Sequence, residues 1–259
     1  MESNIVKNNK SIEVSLKIED DISINGIVTP PDGEVSFVDI LPEIYTLHTD
    51  ILSKTIRKNE NNGISVKCSK GCGVCCRQLV TISIHEAILL VYLADMLNAE
   101  EKNRIRHAFD EILSKLERHN LLKDLIYYHL NDFEDKESIA RLQKKYWELQ
   151  LACPFLVDNS CSIHPYRPLI CREYLVSSEP GKCPELFNNA YHVHRVRLTH
   201  NFASAAASFD GVEAIKTRAI PLPTIFLFDG LLSYFPRSKT TAEKMLALFF
   251  NHADKYFRI

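Results

Sequence analysis

All eight cysteines of this 259-residue chain fall into two groups, Cys68-x3-Cys72-x2-Cys75-Cys76 and Cys153-x7-Cys161-x9-Cys171-x11-Cys183. Cysteines kept only for packing scatter singly over apolar faces. Short spacings instead bring several sulfurs into one coordination sphere, so the pattern predicts metal held by thiolates. Gly71 and Gly73 flank Cys72, where the backbone must wrap tightly and turn its N–H groups toward sulfur. A chain of this length buries most of the surface its unfolded form exposes. It needs neither metal nor disulfides merely to make up for a missing core.

The redox setting supports the same reading. Met1 to Asp20 alternates charged and apolar residues and lacks the apolar centre of a signal peptide. The longest apolar run, Ile220 to Phe235, is broken by Pro221, Pro223 and Asp229 and is too short to span a bilayer. A cytoplasmic, reducing location is therefore expected, where disulfides rarely persist. Net charge is −2, and no Lys/Arg block exceeds Lys144-Lys145 or Arg195-x-Arg197. Neither nucleic acid nor an anionic membrane is an expected partner.

Periodicity organises the rest. SIEVSLKI (Ser11 to Ile18), SINGIVT and EVSFVDI read as short strands separated by turn residues. Leu41 to Arg57 follows a helical period through Leu41, Ile44, Leu47 or His48, Ile51 and Thr55. Ser83 with Glu86 forms a capping box for a helix running to about Asn98, and Asn98 with Glu101 repeats the pattern. Helices are also expected over 122–130, 134–151, 190–209, 211–218, 224–235 and 240–257. Residues 153–187 read as hairpins and loops. The expected fold is mainly α: a helical body around two irregular cysteine-rich segments forming a metal core, with short β-hairpins and a small N-terminal β segment. Residues 1–60 are expected to hold strands plus a helix, and 61–259 the cysteine-cluster metal-binding helical domain, the two forming one compact unit.

The cysteine spacing leaves the metal open. Cys-x3-Cys-x2-Cys suits three corners of a four-iron cubane, the preferred reading, while zinc accepts knuckle spacings of two to four residues. Cys75 and Cys76 are adjacent. In an extended segment their side chains point apart, which predicts service to different centres or to opposite sides of a polynuclear one. Cys153-Pro-Phe-Leu followed by Asp158-Asn159-Ser160 reads as a hairpin placing Cys153 beside Cys161. His164 is an alternate ligand candidate, with a packed or solvent-facing histidine the preferred reading. Arg167 and Arg172 are candidates for neutralising the thiolates or facing a substrate, and an ordinary structural ion pair is the competing role for Arg172.

CSKGCGVCC, CPFL and CSIHPYRPLICR, followed by Cys183, together resemble the YkgJ-type cysteine-cluster family. The resemblance covers about residues 68–183 and implies zinc or iron chelation. A more distant likeness to the cysteine motif of flagellin lysine N-methylases implies an iron–sulfur cluster and makes methyl transfer conceivable. Two functions follow: a metalloenzyme in redox or group transfer on an unidentified small-molecule or protein partner, or a non-catalytic zinc-stabilised binding or metal-handling module. His192, His194 and His200 are weaker metal candidates, and no P-loop or dinucleotide glycine motif is present.

Overall fold

The computed structural model describes residues 1–130, 136–188, 193–232, 234–235 and 237–259. Strand β1 (Glu2–Asn8) pairs antiparallel with β2 (Ser11–Lys17), and β2 pairs in turn with β3 (Ser23–Val28). Alternation places Ile12, Val14 and Leu16 on the buried face while Glu13, Ser15 and Lys17 face solvent. The sheet begins earlier than the sequence pattern indicates. Ile5 and Val6 in β1 are only partly covered, so alternation there is weak, and left-handed Asn9 (φ 54°) makes the reversal. Strand β4 (Glu34–Ser36) follows.

Helix α1 (Leu41–Asn61) buries the expected face, including Leu41, Ile44, Leu47, His48, Ile51 and Thr55, and packs on β3. After the first cysteine loop, β5 (Thr81–Ser83) leads into α2 (Ile84–Met96), whose capping box forms in both directions between Ser83 and Glu86. Asn98 accepts a hydrogen bond from the Glu101 amide at the start of α3 (Ala99–Arg118). Helices α4 (Leu122–Leu130) and α5 (Lys136–Glu148) close a cluster of Ile112, Leu116, Leu125, Leu142 and Tyr146. Residues 134 and 135, expected to open α5, lie outside the described residues.

The second cysteine segment contains β6 (Leu156–Val157), β7 (Ser160–Cys161), α6 (Leu169–Arg172) and β8 (Leu175–Val176). A helix over 190–209 is not found. Residues 189–192 lie outside the described residues, β9 (Arg195–Val196) pairs with β8, and only α7 (Phe202–Ala207) is helical. The expected helix over 211–218 is also absent. The Asp210 carboxylate accepts from the Val212 and Glu213 amides at 2.8 and 2.9 Å, a local turn that competes with a helix. Strand β10 (Ala219–Pro221) pairs with β5. Pro221 and Pro223 then replace the expected 224–235 helix by a 3-10 stretch, Leu222–Leu227, and the short α8 (Asp229–Leu232). Strand β11 (Lys239–Thr241) pairs with β4 and caps α9 (Ala242–Phe257) through Thr241.

The fold is mainly α with small antiparallel sheets, as the sequence indicates. Its largest core joins β2, β3, α1, α7 and α9, so the last helix packs against the first sheet. The fully buried Ala205 and Ala206 let α7 approach α9 closely. A second cluster, with Ile82, Leu90, Phe109, Phe155, Leu222 and Ile225, floors the cysteine segments. Among the described residues, no helix is long and apolar enough to cross a membrane.

Candidate metal centre and adjoining cavity

The two cysteine segments meet through backbone contacts. The Cys153 amide donates to the Cys76 carbonyl at 2.8 Å, joining the start of the second group to the end of the first. Asp158 and Asn159 have left-handed backbones (φ 48° and 56°), which makes the two-residue reversal between β6 and β7. That hairpin presses on the first loop. A Cβ on Gly73 would lie 3.1 Å from both Leu156 methyls and 3.4 Å from Asn159 Cα, so glycine sets how closely the segments approach. The hairpin register sets Leu156, rather than Cys153, opposite Cys161. Cys153 nonetheless feels the charge of Cys161.

Cys75 and Cys76 do not lie in an extended segment. Val74–Arg77 is a 3-10 turn, with the Cys76 amide bonded to the Gly73 carbonyl. At three residues per turn, neighbouring side chains diverge by about 120° instead of pointing to opposite faces. Both thiols line the same cavity, and Cys75 is hydrogen-bonded to Cys76. The premise for sending them to opposite sides is therefore corrected.

The cavity holds about 220 Å³ and is lined by Cys75, Cys76, Cys153, Cys161 and Cys171, drawn from both groups. Cys68, Cys72 and Cys183 gather outside it. Cys183 feels the charges of Cys72, Cys68 and Cys75, and the 3-10 stretch Pro180–Glu185 packs beside Val74–Arg77. Cys75 is the common neighbour, acting on Cys68 and Cys183 as well as on Cys153, Cys161 and Cys171. All eight cysteines are free. Among the described residues, no three His, Cys, Asp or Glu side chains form a group that could hold a metal ion as placed. Coordination thus requires the sulfurs to draw closer together.

Burial opposes thiolate formation. It pushes Cys153 up to about 12, raises Cys171 strongly, and raises Cys68, Cys161 and Cys183. Cys75 is raised first by its hydrogen bond with Cys76 and then by burial. Specific groups work the other way. The amides of Phe155 and Ile163, each two residues after its cysteine, favour the thiolates of Cys153 and Cys161. The Val176 amide on β8 points to Cys68 Sγ at 3.4 Å. Arg167 lowers Cys68, Cys75, Cys161 and Cys171. Partly buried thiols with amides and a guanidinium directed at them fit a thiophilic cation, whose charge offsets the cost of ionising them.

The other candidates separate clearly. Arg167 lines the cavity, and its Nε is buried without a hydrogen-bond partner. Arg172 is turned to structure. Its guanidinium donates to the Arg167 and Pro165 carbonyls and to Thr49 Oγ1, and stacks 4.6 Å over Tyr45. Carbonyl oxygens and a hydroxyl thus take the place of the carboxylate that an ordinary ion pair would supply, although Arg172 still lowers Cys161. His164 is solvent-exposed and does not line the cavity. His192 lies outside the described residues. His200 is buried away from the cysteines, 3.0 Å from Asp254.

Two features escape the sequence pattern. Arg195, noted only as part of a basic dipeptide spacing, joins Tyr174 on the cavity wall, its guanidinium 4.5 Å from the ring centre. Glu86, recognised as a capping residue, also reaches across 83 residues to accept from the Leu169 amide at 2.7 Å. That amide opens α6, which carries Cys171. No local signal announces either contact.

Residues 67–193 match the family model CxxCxxCC, described as "Putative zinc- or iron-chelating domain". Over this segment, a little under half of the chain, the sequence is similar to that cysteine-cluster family. The CxxCxxCC domain spans both thiol groups, Arg167, Tyr174 and the segment reaching toward β9. No curated protein and no solved structure matches the chain.

Proposed function

We propose that the CxxCxxCC domain holds an iron–sulfur cluster through thiolates from both halves of the chain and serves as a cytoplasmic metalloenzyme in redox or group transfer. The observation that carries this reading is the cavity itself. Thiols from both cysteine groups, Cys75 and Cys76 from the first and Cys153, Cys161 and Cys171 from the second, line one small space. In this reading Cys75, Cys153, Cys161 and Cys171 form one set. Cys68, Cys72 and Cys183, completed by Cys76, form the other. Cys75, whose charge reaches Cys153, Cys161 and Cys171 as well as Cys68 and Cys183, stands between the two sets. The cluster would supply electron transfer or Lewis acidity. The chain's own residues shape the site: Arg167 balances the thiolates' charge, the Phe155 and Ile163 amides orient sulfur, and the apolar floor limits water.

Anaerobic purification followed by visible absorption and by iron, zinc and acid-labile sulfide analysis tests the reading. Broad absorption with iron and sulfide is expected. A colourless protein with stoichiometric zinc overturns it in favour of a zinc-stabilised module. Cys75→Ser and Cys76→Ser should lose different fractions of the bound metal, and equal losses sink the ligand division.

A further inference from the structure

The cavity that the thiols line also carries wall features that metal ligation does not use. Its wall is mostly apolar, with Phe155, Ile163 and Leu222 prominent, and includes two guanidinium groups, Arg167 and Arg195. No Asp or Glu lines it. Neither guanidinium has an ion-pair partner among the described residues, although Lys58, Lys102 and Arg106 elsewhere find carboxylates. Arg167 acts on the thiols, as its effect on four of them shows. Arg195 stacks 4.5 Å from the Tyr174 ring centre on the cavity wall and has no ion pair there, among the described residues, to take up its charge.

Arg195 is nevertheless held in place. β9 pairs with β8, setting Arg195 opposite Val176, and the Ser177 amide bonds to the His194 carbonyl at 2.9 Å. Tyr174 presents its ring beneath the guanidinium and lines the cavity wall beside Gln78. Stacking on an aromatic face restricts the guanidinium plane while leaving its edge free to donate. A pre-oriented planar fork at the exposed rim of an apolar chamber suits a carboxylate, which it meets through two parallel hydrogen bonds. The chamber's size limits the rest of the ligand to a compact apolar body.

We propose that this cavity binds a small organic carboxylate, its carboxylate engaged by Arg195 at the rim with Arg167 deeper in the wall, and its apolar body against Phe155, Ile163 and Leu222. This names the substrate class of the proposed metal site and rests on that reading for the ligand's role as substrate. The binding itself requires only the cavity.

Calorimetric titration of the anaerobically prepared full-length protein tests it, with benzoate, benzyl alcohol and inorganic phosphate as probes. Benzoate should bind with one-to-one stoichiometry and more tightly than either of the others. Arg195→Gln should weaken benzoate by about tenfold or more, and Arg195→Lys should recover part of the loss. Metal content and circular dichroism of Arg195→Gln should match the parent, because Arg195 is exposed and is not a ligand candidate. Unchanged benzoate affinity in Arg195→Gln, equal binding of benzyl alcohol, or tighter binding of phosphate overturns the proposal. Arg195-dependent benzoate binding by a protein containing zinc and no iron would sustain the cavity assignment while removing the iron–sulfur reading. Iron–sulfur content without benzoate binding would do the reverse.

Discussion

Replacing Glu86 tests whether the cysteine arm is anchored from within the core. Glu86 is 1% exposed, and burial raises its carboxyl above the ordinary range. One carboxyl oxygen accepts from the Ser83 amide and hydroxyl at 3.0 and 2.9 Å. The other accepts from the Leu169 amide at 2.7 Å and the Tyr45 hydroxyl at 3.3 Å. Glu86→Ala removes one half of the capping box, about 1 kcal/mol. It also strands the buried Leu169 N–H, roughly 1–3 kcal/mol. The void adds about 1 kcal/mol at some 24 cal/mol per Å³. Relief from burying a carboxyl offsets part of the sum, leaving a net loss of about 3 kcal/mol. Glu86→Gln keeps the shape and one acceptor but turns an NH2 toward a donor, for a loss of about 1–2 kcal/mol. Urea unfolding followed by circular dichroism, without oxygen, reads both values. The rate at which a chelator strips metal should rise in the order parent, Gln, Ala, because Leu169 opens the helix bearing Cys171. Glu86→Ala within 1 kcal/mol of the parent, or no costlier than Glu86→Gln, would refute the reasoning.

Gly73→Ala should push the β6–β7 hairpin outward and lower metal retention, measured as metal per chain after dialysis against chelator. Adding Leu156→Ala, which clears both methyls at 3.1 Å, should restore much of that retention. His85 gives a pH test. Burial holds it down to about 4, and its Nε2 meets the Phe209 carbonyl at 2.7 Å. The folded chain keeps it neutral while the unfolded chain protonates near pH 6.5. Stability therefore declines as pH falls from about 6.5 to about 4, by roughly 3 kcal/mol in total. His85→Gln should flatten that limb in urea midpoints measured across the range. Asn98→Ala should cost about 1 kcal/mol through loss of the α3 cap and leave metal content unchanged.

Where structure follows from local chemistry, the sequence is readable. The Ser83–Glu86 box, the Asn98 cap, the α1 face and the Asp158-Asn159 reversal all rest on residues within a few positions of one another. Where a competing side-chain or backbone bond, or a distant segment, decides, it is not. Residues 211–218 carry a helical pattern, but Asp210 captures two amides and diverts the chain. Cys75 and Cys76 look extended until the Gly73 carbonyl draws Cys76 into a 3-10 turn. The cysteines and Arg167 stand out by type and spacing. Arg195 and Tyr174 become cavity residues only because β8 and β9 pair, and nothing near either residue in the chain encodes that pairing. Glu86 is half legible: its cap is local, and its hold on Leu169 is tertiary.

The hydrogen bond from the Cys153 amide to the Cys76 carbonyl also sets an order of events during synthesis. When the first thiol group leaves the ribosome, its partners have not yet been made, and α2 to α5 must be translated before Cys153 appears. Closing so long an intervening segment costs entropy that local contacts cannot repay. Any metal shared by both groups is therefore acquired late, after the helical body has brought residues 76 and 153 together. Until then the first loop is a set of unguarded thiols. A cell that delays or mistimes this closure exposes the chain to oxidation or to the wrong soft metal, so the yield of correctly loaded protein should depend on folding speed as much as on metal supply.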